Sequence, residues 1–380
     1  MKDVRILPVV SRREQKAFLE VPAFVMSGDP NFIAPLHMEV AQRLDPKRHP
    51  FFANGQAAFW VAIDGNGNPI GRISAQINNS HQTRYGSAEG HFGSIVGIDD
   101  VDLYKNLLET AEVWLKKNGA VSAVGPFTLS INEESGVLVE GFDTPPMLMM
   151  GHDPLWSGDH ITAAGYKPLK DLLAYVYDSS QGPPSRVLSF GKKFKSIEGA
   201  NIRPFNKRQF KQDLAAILNV FNDAWSENWG YVPMSSGEIN SFAHAMRAIA
   251  DYDLIFIAEI AGRPVGMAVS LPNINEALAG LNGARGLGIL RFLWRLKVGG
   301  VKSARVLLMG VTKASQADIA LGPVISMALI SALAEAHGRK GYERMELSWI
   351  LDSNAPMRRI AEMGGAKIYK TYRIFRKDFA

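Results

Sequence analysis

With no cysteine among its 380 residues, this chain has carboxylates, tyrosines and histidines to move protons. Thiolate nucleophiles, thiolate metal sites and disulfides are excluded. Glu346 alternates with Met345, Leu347 and Trp349 along a strand-like run, which turns one carboxylate away from its apolar neighbours. Such a group acts as a base, directly or through water, or forms an ion pair with Arg344 or Arg373. Glu133 and Glu134 lie in the non-periodic run 130–136, bounded by Gly136, where one of them orients an amine or both complete a polar turn. Asn228-Trp229-Gly230-Tyr231 has the composition of a substrate-lining loop or of aromatic filler, and Trp225 reads as core. Asp352, two before Asn354, would attract a cationic amine or cap a helix together with Ser353. His91, between Gly90 and Gly93, is the one histidine to weigh as a base against a partner for a strand-end carbonyl. The eight histidines show neither H-x-H nor H-E-x-x-H spacing, so no metal is expected.

The elements that must position these groups come in two passes. Strands are expected over 4–9, 57–63, 69–77, 90–98, 121–124 and 172–177. Asp64-Gly-Asn-Gly-Asn marks a hairpin between the second and third of these, and Leu103, Leu107, Leu108, Ala111, Trp114 and Leu115 form a helical stripe. The order returns with strands at 202–205, 254–260, 264–271, 306–311, 344–350 and 368–376, and helices at 209–222, 322–337 and 354–363. This is a mixed α/β fold with an internal duplication. The expected layout is a first domain over 1–180, a Pro/Gly/Lys-rich connector over 181–200 and a second domain over 201–380. The apolar fraction of 47% and charged fraction of 21% exclude a mostly disordered chain.

The last 75 or so residues carry a resemblance. Val306-Leu-Leu-Met-Gly-Val311, a polar loop, an amphipathic helix, Met345-Glu-Leu-Ser-Trp349, Asn354 and Gly364-Gly365 resemble an acyl-CoA-dependent GNAT N-acyltransferase domain. The resemblance implies a fourth strand that diverges from the fifth, with coenzyme A pairing along Met309 and Val311. It also implies a pyrophosphate near Gln316 and Gly322 at the next helix N-terminus, where orphan amides suit an anion, and a family asparagine at Asn354. Two departures stand out. Ile319 and Leu321 occupy the family's glycine places after Gln316, and the family's acid tyrosine is Ala361, which leaves Tyr369 or Tyr372 to serve. Asp99, Asp100 and Asp102 make the matching place in the first half hostile to phosphate, so acyl-CoA is expected in the second half.

Almost the whole chain also resembles a group of tandem-GNAT bacterial proteins that contains bacterial ceramide synthase. The matching runs include His49-Pro50-Phe51-Phe52, Asn132-Glu133-Glu134-Ser135-Gly136, Asn228-Trp229-Gly230-Tyr231 and Lys370-Thr371-Tyr372-Arg373. The implied reaction transfers a fatty acyl group from acyl-CoA, a co-substrate and not a resident cofactor, to the amine of a sphingoid base such as 3-oxosphinganine. Glu346, Glu133 and Tyr372 would supply the acid-base groups, and Asn228, Trp229, Tyr231, Asp352 and Trp294 would contact substrate. Two alternatives remain: acetylation of a small or peptidyl amine, and an inactive tandem module that binds lipid or RNA. A nucleotide pyrophosphohydrolase is not supported, because no Gly-x5-Glu-x7-Arg-Glu-x2-Glu-Glu run is present.

Charge adds a further expectation. Between Glu276 and Asp318 there is no acidic residue, while Arg285, Arg291, Arg295, Lys297, Lys302, Arg305 and Lys313 are present. With Leu287, Ile289, Leu290, Phe292, Leu293 and Trp294 interleaved, the insertion 275–303 has the composition of an interfacial helix. Packing against the first domain is its other reading. The net charge of +5 is too mild to imply nucleic acid. The basic and aromatic residues around 192–211 read as a solvated linker, and nucleic acid is not expected as a partner. No run of about 18 apolar residues and no signal-peptide core is visible. The expected location is the cytoplasm, with peripheral contact at an anionic inner membrane.

Overall fold

Each half lays down a similar succession of elements in a computed structural model that describes residues 4–379. The first half runs β1 (Arg5–Pro8), α1 (Arg12–Val25), α2 (His37–Arg43), β2 (Gly55–Ile63), β3 (Pro69–Asn78), α3 (Asn79–Tyr85) and β4 (Glu89–Gly97). It continues with α4 (Val101–Lys117), β5 (Ser122–Gly125), β6 (Val137–Glu140), α5 (Ser157–Ala163) and β7 (Lys167–Asp178). After α6 (Ser185–Lys195) come β8 (Ala200–Pro204), α7 (Phe210–Trp225), α8 (Ser236–Ile249), β9 (Ile255–Ile260) and β10 (Arg263–Pro272). The chain ends with α9 (Ile274–Leu278), α10 (Leu287–Trp294), β11 (Ser303–Val311), α11 (Lys313–Gln316), α12 (Leu321–Lys340), β12 (Arg344–Leu351), α13 (Ala355–Met363) and β13 (Lys367–Asp378).

Local signals explain most boundaries. Ser11 and Glu14 form a reciprocal capping box on α1. The Asp64 carboxylate accepts the amides of Asn66 and Asn68, which closes the β2–β3 hairpin. Asp100 caps α4 through the Leu103 amide at 2.8 Å, so the carboxylate that looked hostile to a pyrophosphate occupies the helix start itself.

The sheet runs β1-β2-β3-β4-β5-β13-β7-β12-β11-β10-β9-β8, with β6 on the side of β13. Its centre is an exchange. β7, from the first half, borders β12, while β13, from the second, borders β5. β7 and β13 then pair antiparallel with each other, from Lys167 opposite Arg376 to Val176 opposite Lys367. The pairing is nearly self-symmetric, and Gly165/Gly365, Lys167/Lys367, Lys170/Lys370 and Asp178/Asp378 recur at matching places. The sheet therefore passes unbroken across residue 180.

The expected connector 181–200 contains a helix. Residues 185–195 form α6, which buries Val187 and Phe194 against the core that contains α12. Seven residues apart, these two lie on one helical face, a signal masked by the lysines between them. α8 and β6 were also not foreseen. α12 is the one helix among the described residues long and apolar enough to cross a bilayer, yet 72% of that stretch is buried inside the second half.

Two parallel pairs open along the sheet. β11 and β12 pair only from Ser303/Arg344 to Val306/Leu347, and β4 and β5 only from Glu89/Ser122 to His91/Val124. In the first half the chain turns back into its own gap. The Phe127 amide donates to Phe92 O at 2.9 Å, and Gln76 Nε2 donates to Phe127 O at 2.8 Å. A Cβ on Gly93 would lie 1.7 Å from that Phe127 carbonyl. Gly93→Ala should therefore cost about 2–4 kcal/mol in denaturant unfolding. Unchanged stability would mean that the segment is not seated in the gap.

Candidate active site

Past Val306 and Leu347 the second gap stays open, as a cavity of about 670 Å³. Met309, Val311, Gln316, Gly322 and Asn354 all line it, so the five residues assigned to coenzyme A come together. The β11 edge shows how. Trp225 Nε1 donates to Met309 O at 3.2 Å, and Gln316 Nε2 donates to Val311 O at 2.5 Å. A strand residue turns its N–H and C=O to the same side. The amides of Met309 and Val311 therefore face this gap as donors for an extended ligand. Trp225, expected to be core, is part of the wall. Asn354 caps α13, its Oδ1 accepting the Met357 amide at 3.2 Å.

The start of α12 differs from the expected phosphate cradle. Asp318 Oδ1 accepts the amides of Ala320 at 2.9 Å and Leu321 at 3.1 Å, so a carboxylate already sits where a pyrophosphate would lie. Gly322 is close to the Gln316 backbone, with a Cβ there 3.2 Å from Gln316 Cα.

A second cavity adjoins the first through Trp225, Asn228, Trp229, Leu307, Ser348 and Trp349, which line both. Its far wall is apolar, with Phe221, Tyr231, Met234 and Phe242. Thus the loop carrying Asn228, Trp229 and Tyr231 does face the site. Glu133 lines this second cavity as well, with Arg43 Nε at 3.5 Å and His49 Nε2 at 3.6 Å. Burial pushes the Glu133 carboxyl up to about 8, with Arg43 opposing and Glu134 adding to the rise. Burial, then Arg43, pushes His49 down to about 4, so His49 is neutral at pH 7.

Glu346 is fully buried and lines neither cavity. Its ion-pair partner is neither Arg344 nor Arg373 but Arg305, its register partner on β11, at 3.5 Å. The Glu346 carboxylate accepts the hydroxyls of Ser348 and Tyr369. Arg305 donates from Nε to Ser348 Oγ and from Nη1 to Leu148 O, both at 2.7 Å. Ser348 is thus the hydroxyl that connects Glu346 with both cavities. It lies two residues from Glu346 on one strand face, a spacing from which it was readable.

Three assigned residues lie elsewhere. Tyr372 is sealed in the core with its hydroxyl donating to Gly151 O at 3.2 Å, because β13 runs through the middle of the sheet. Trp294 is 61% exposed on α10 and lines neither cavity. Asp352 also lies outside both linings. Its carboxylate accepts the Ser353 amide at 2.7 Å, and Asn354, not Asp352, caps the helix.

A mixed sheet whose fourth and fifth strands part, laid down twice in one chain and left open as a ligand-sized gap in the second half, defines the class: a tandem GNAT fold. Solved structures agree. A GCN5-related N-acetyltransferase from Sphaerobacter thermophilus superposes with a TM-score of 0.58 over 100% of this chain and 96% of that one, at 14% identity. A tandem GNAT protein from the clavulanic acid biosynthesis pathway gives a TM-score of 0.56 over 99% and 98%, at 10% identity. The chain belongs to the family of the bacterial ceramide synthase of Caulobacter vibrioides, to which it is 41% identical over 377 residues, spanning 99% of this chain and 97% of that protein. Protein YghO of Escherichia coli K12 is 40% identical over 97% of this chain and 94% of its own length. No protein-family profile matches the sequence.

A negative group at a helix N-terminus contributes up to about 1 kcal/mol, so Asp318 competes with a bound pyrophosphate on that scale. Asp318→Asn should tighten coenzyme A binding by about fivefold in calorimetric titration. Unchanged or weaker binding would put the pyrophosphate away from α12.

Proposed function

We propose that this chain transfers a fatty acyl group from acyl-CoA to the amine of a sphingoid base such as 3-oxosphinganine, the acceptor expected from the sequence. The observation that carries this reading is the meeting of two cavities at Ser348, one along a free strand edge and the other apolar with a carboxylate in its wall. The thioester lies against β11, where the amides of Met309 and Val311 are donors for the acyl-CoA chain. The amine enters from the side of Glu133, Asn228 and Tyr231. Its nitrogen attacks the thioester carbon, the C–N bond forms and the C–S bond breaks. Glu133 takes the proton from nitrogen, and the thiolate departs past Ser348, whose hydroxyl Glu346 and Arg305 hold in place, to be protonated by water. Tyr372, sealed in the core with its hydroxyl on Gly151 O, does not reach the acid role first assigned to it. The relative named ceramide synthase supports the acceptor class, and the aromatic walls of Trp225, Trp229 and Trp349 support a long chain.

The test is release of free thiol from palmitoyl-CoA with a sphingoid base, with the amide product identified by mass. A Glu133 base works only as carboxylate, so kcat/KM should rise with pH and level off above about 8. Glu133→Gln should lower the rate roughly 100-fold or more and flatten that rise. No thiol release with any acyl-CoA sinks the proposal, and turnover of acetyl-CoA with small amines alone redirects it to acetylation.

The acceptor is taken from an anionic membrane surface, on which α10 sits. Leu287 (83%), Leu290, Trp294 and Val298 are exposed, while Phe292 anchors the helix in the core that also holds Leu308 and Tyr231. The charge pattern is narrower than the sequence suggested. Arg295 Nη1 donates to the carbonyls of Ala277 and Ala279, Arg305 is in the core, and Lys302 and Lys313 pair with Glu343 and Glu227. Arg285 holds His37 and lies 3.9 Å from Glu20. Arg291 and Lys297 are left to meet lipid phosphates, at about 1 kcal/mol each. Attachment should therefore be chiefly apolar. In flotation with phosphatidylglycerol-containing liposomes, Leu290→Glu with Trp294→Glu should abolish binding, whereas 0.5 M salt should weaken it only about tenfold or less. Intact binding by the double variant would remove α10 from the membrane contact.

A further inference from the structure

Near the start of β4, three side chains of metal-binding type converge without any role in the acyl-transfer site. Glu89 and His91 are two apart on the strand and so share a face. His81 comes from α3, held by its own amide, which donates to Asn78 Oδ1 at 3.1 Å. Glu89 Oε1 lies 3.4 Å from His91 Nε2 and 3.7 Å from His81 Nε2, and one ligand atom from each residue fits within a 4.8 Å group. His81 is 9% exposed and His91 4%. Among the described residues, both ring nitrogens of His91 and Nδ1 of His81 have no hydrogen-bond partner. Buried polar atoms are rarely left this way, because each forfeits about 1–3 kcal/mol.

We propose that His81, Glu89 and His91 bind a divalent transition metal, zinc foremost. Bonds of about 2.0–2.2 Å in a tetrahedral site put ligand atoms roughly 3.3–3.5 Å apart. The two carboxylate–imidazole separations are already close to that, and the set as a whole must draw in by about 1.5 Å at most. Glu89 is oriented for this role. Its other oxygen, Oε2, is held by Arg376 Nη1 at 2.8 Å, which leaves Oε1 to the two rings. Two imidazoles and one carboxylate suit zinc or iron better than magnesium or calcium, which favour all-oxygen sets. The fourth position opens on a small cavity with Phe127, Trp229, Gly230 and Val232 in its wall, room for water and not for substrate.

The metal would brace the acceptor loop. α3, which supplies His81, also carries Arg84 and Tyr85. Arg84 donates to Ser226 O and lies 5.0 Å from the Tyr231 ring centroid, and Tyr85 Oη donates to Tyr231 O at 3.1 Å. Fixing His81 to β4 therefore fixes the segment that presents Asn228, Trp229 and Tyr231 to the cavities. The histidines would be positioning residues and would not touch substrate.

The test uses the full chain, freed of metal by chelator dialysis and titrated with zinc alone. One equivalent should bind, the melting temperature should rise, and cobalt substitution should give the intense visible bands of a tetrahedral site. Glu89→Gln and His91→Phe should each weaken zinc binding at least 100-fold and abolish the melting shift. His91→Phe keeps a ring beside Phe127, now 5.0 Å away, and so should melt as the metal-free wild type does. His160→Gln, on a half-buried histidine paired with Asp99, should leave zinc binding unchanged. Less than 0.2 equivalents bound, or equal binding by Glu89→Gln and His91→Phe, would overturn the site and leave a stacked aromatic cluster in its place.

Discussion

The pairing of β7 with β13 is the constraint on which the remaining geometry depends. A parallel pair that separates halfway would ordinarily leave two ragged edges. Here each diverging strand has a partner on its other side: β10 follows β11 to Val311, and β7 follows β12 to Leu351 apart from a break after Leu347. Neither strand needs the other past Val306, so a gap can open in the sheet without loss of its frame. The edge exposed by this opening is not left unsatisfied. Side chains of Trp225 and Gln316 take its carbonyls, and the amides remain for a ligand. Because each half lends its last strand to the other, the frame around the open gap includes residues from both ends of the chain.

The duplicated gaps have diverged in opposite directions. In the first half the backbone itself enters, and Phe127 pairs with Phe92 where an extended ligand would pair in the second. That filling is consistent with Gly93, the only residue type that admits the Phe127 carbonyl so closely. The returning chain then runs on into 130–136, and this is how Glu133 reaches the cavity wall of the second half. The first half has given up a cleft and gained a lever into its neighbour's. Asp100 and Asp318 show a similar drift, both capping helix starts with carboxylates.

Periodicity and punctuation made much of this readable. Strand alternation, the Asp64 turn and the repeated order of elements recovered most strands, and the resemblance to GNAT domains pointed to the edge with Met309, Val311, Gln316, Gly322 and Asn354, which line one cavity. What escaped detection was non-local. No local pattern tells that β7 leaves its own half, so Tyr372 was placed near a cleft when its strand runs through the middle of the sheet. Arg305 sat in a run of basic residues and read as surface charge, although its register opposite Glu346 makes it the buried counter-ion. His81 and His91 are ten residues apart on a helix and a strand, so no short motif shows that both approach Glu89. Trp225 reads as core from its sequence, and only the strand beneath it reveals that its N–H meets Met309 O.

The environments of the two central carboxylates divide structure from chemistry. Glu346 has a guanidinium and two hydroxyls within its enclosure, and removing it would strand Arg305 in the core at a cost of about 3–5 kcal/mol. Its loss would report on folding before it reported on turnover. Glu133 shares Arg43 with Glu134 and Glu39, so one cation is divided among three acids. That incomplete compensation, with burial, is what lifts its proton affinity toward the range where an amine can exchange protons with it. An acyl thioester needs little activation, whereas an ammonium cannot attack until it loses a proton. The carboxylate left short of positive charge is thus the one whose surroundings suit proton exchange with an amine, and the fully paired one holds the Ser348 hydroxyl at the junction of the two cavities.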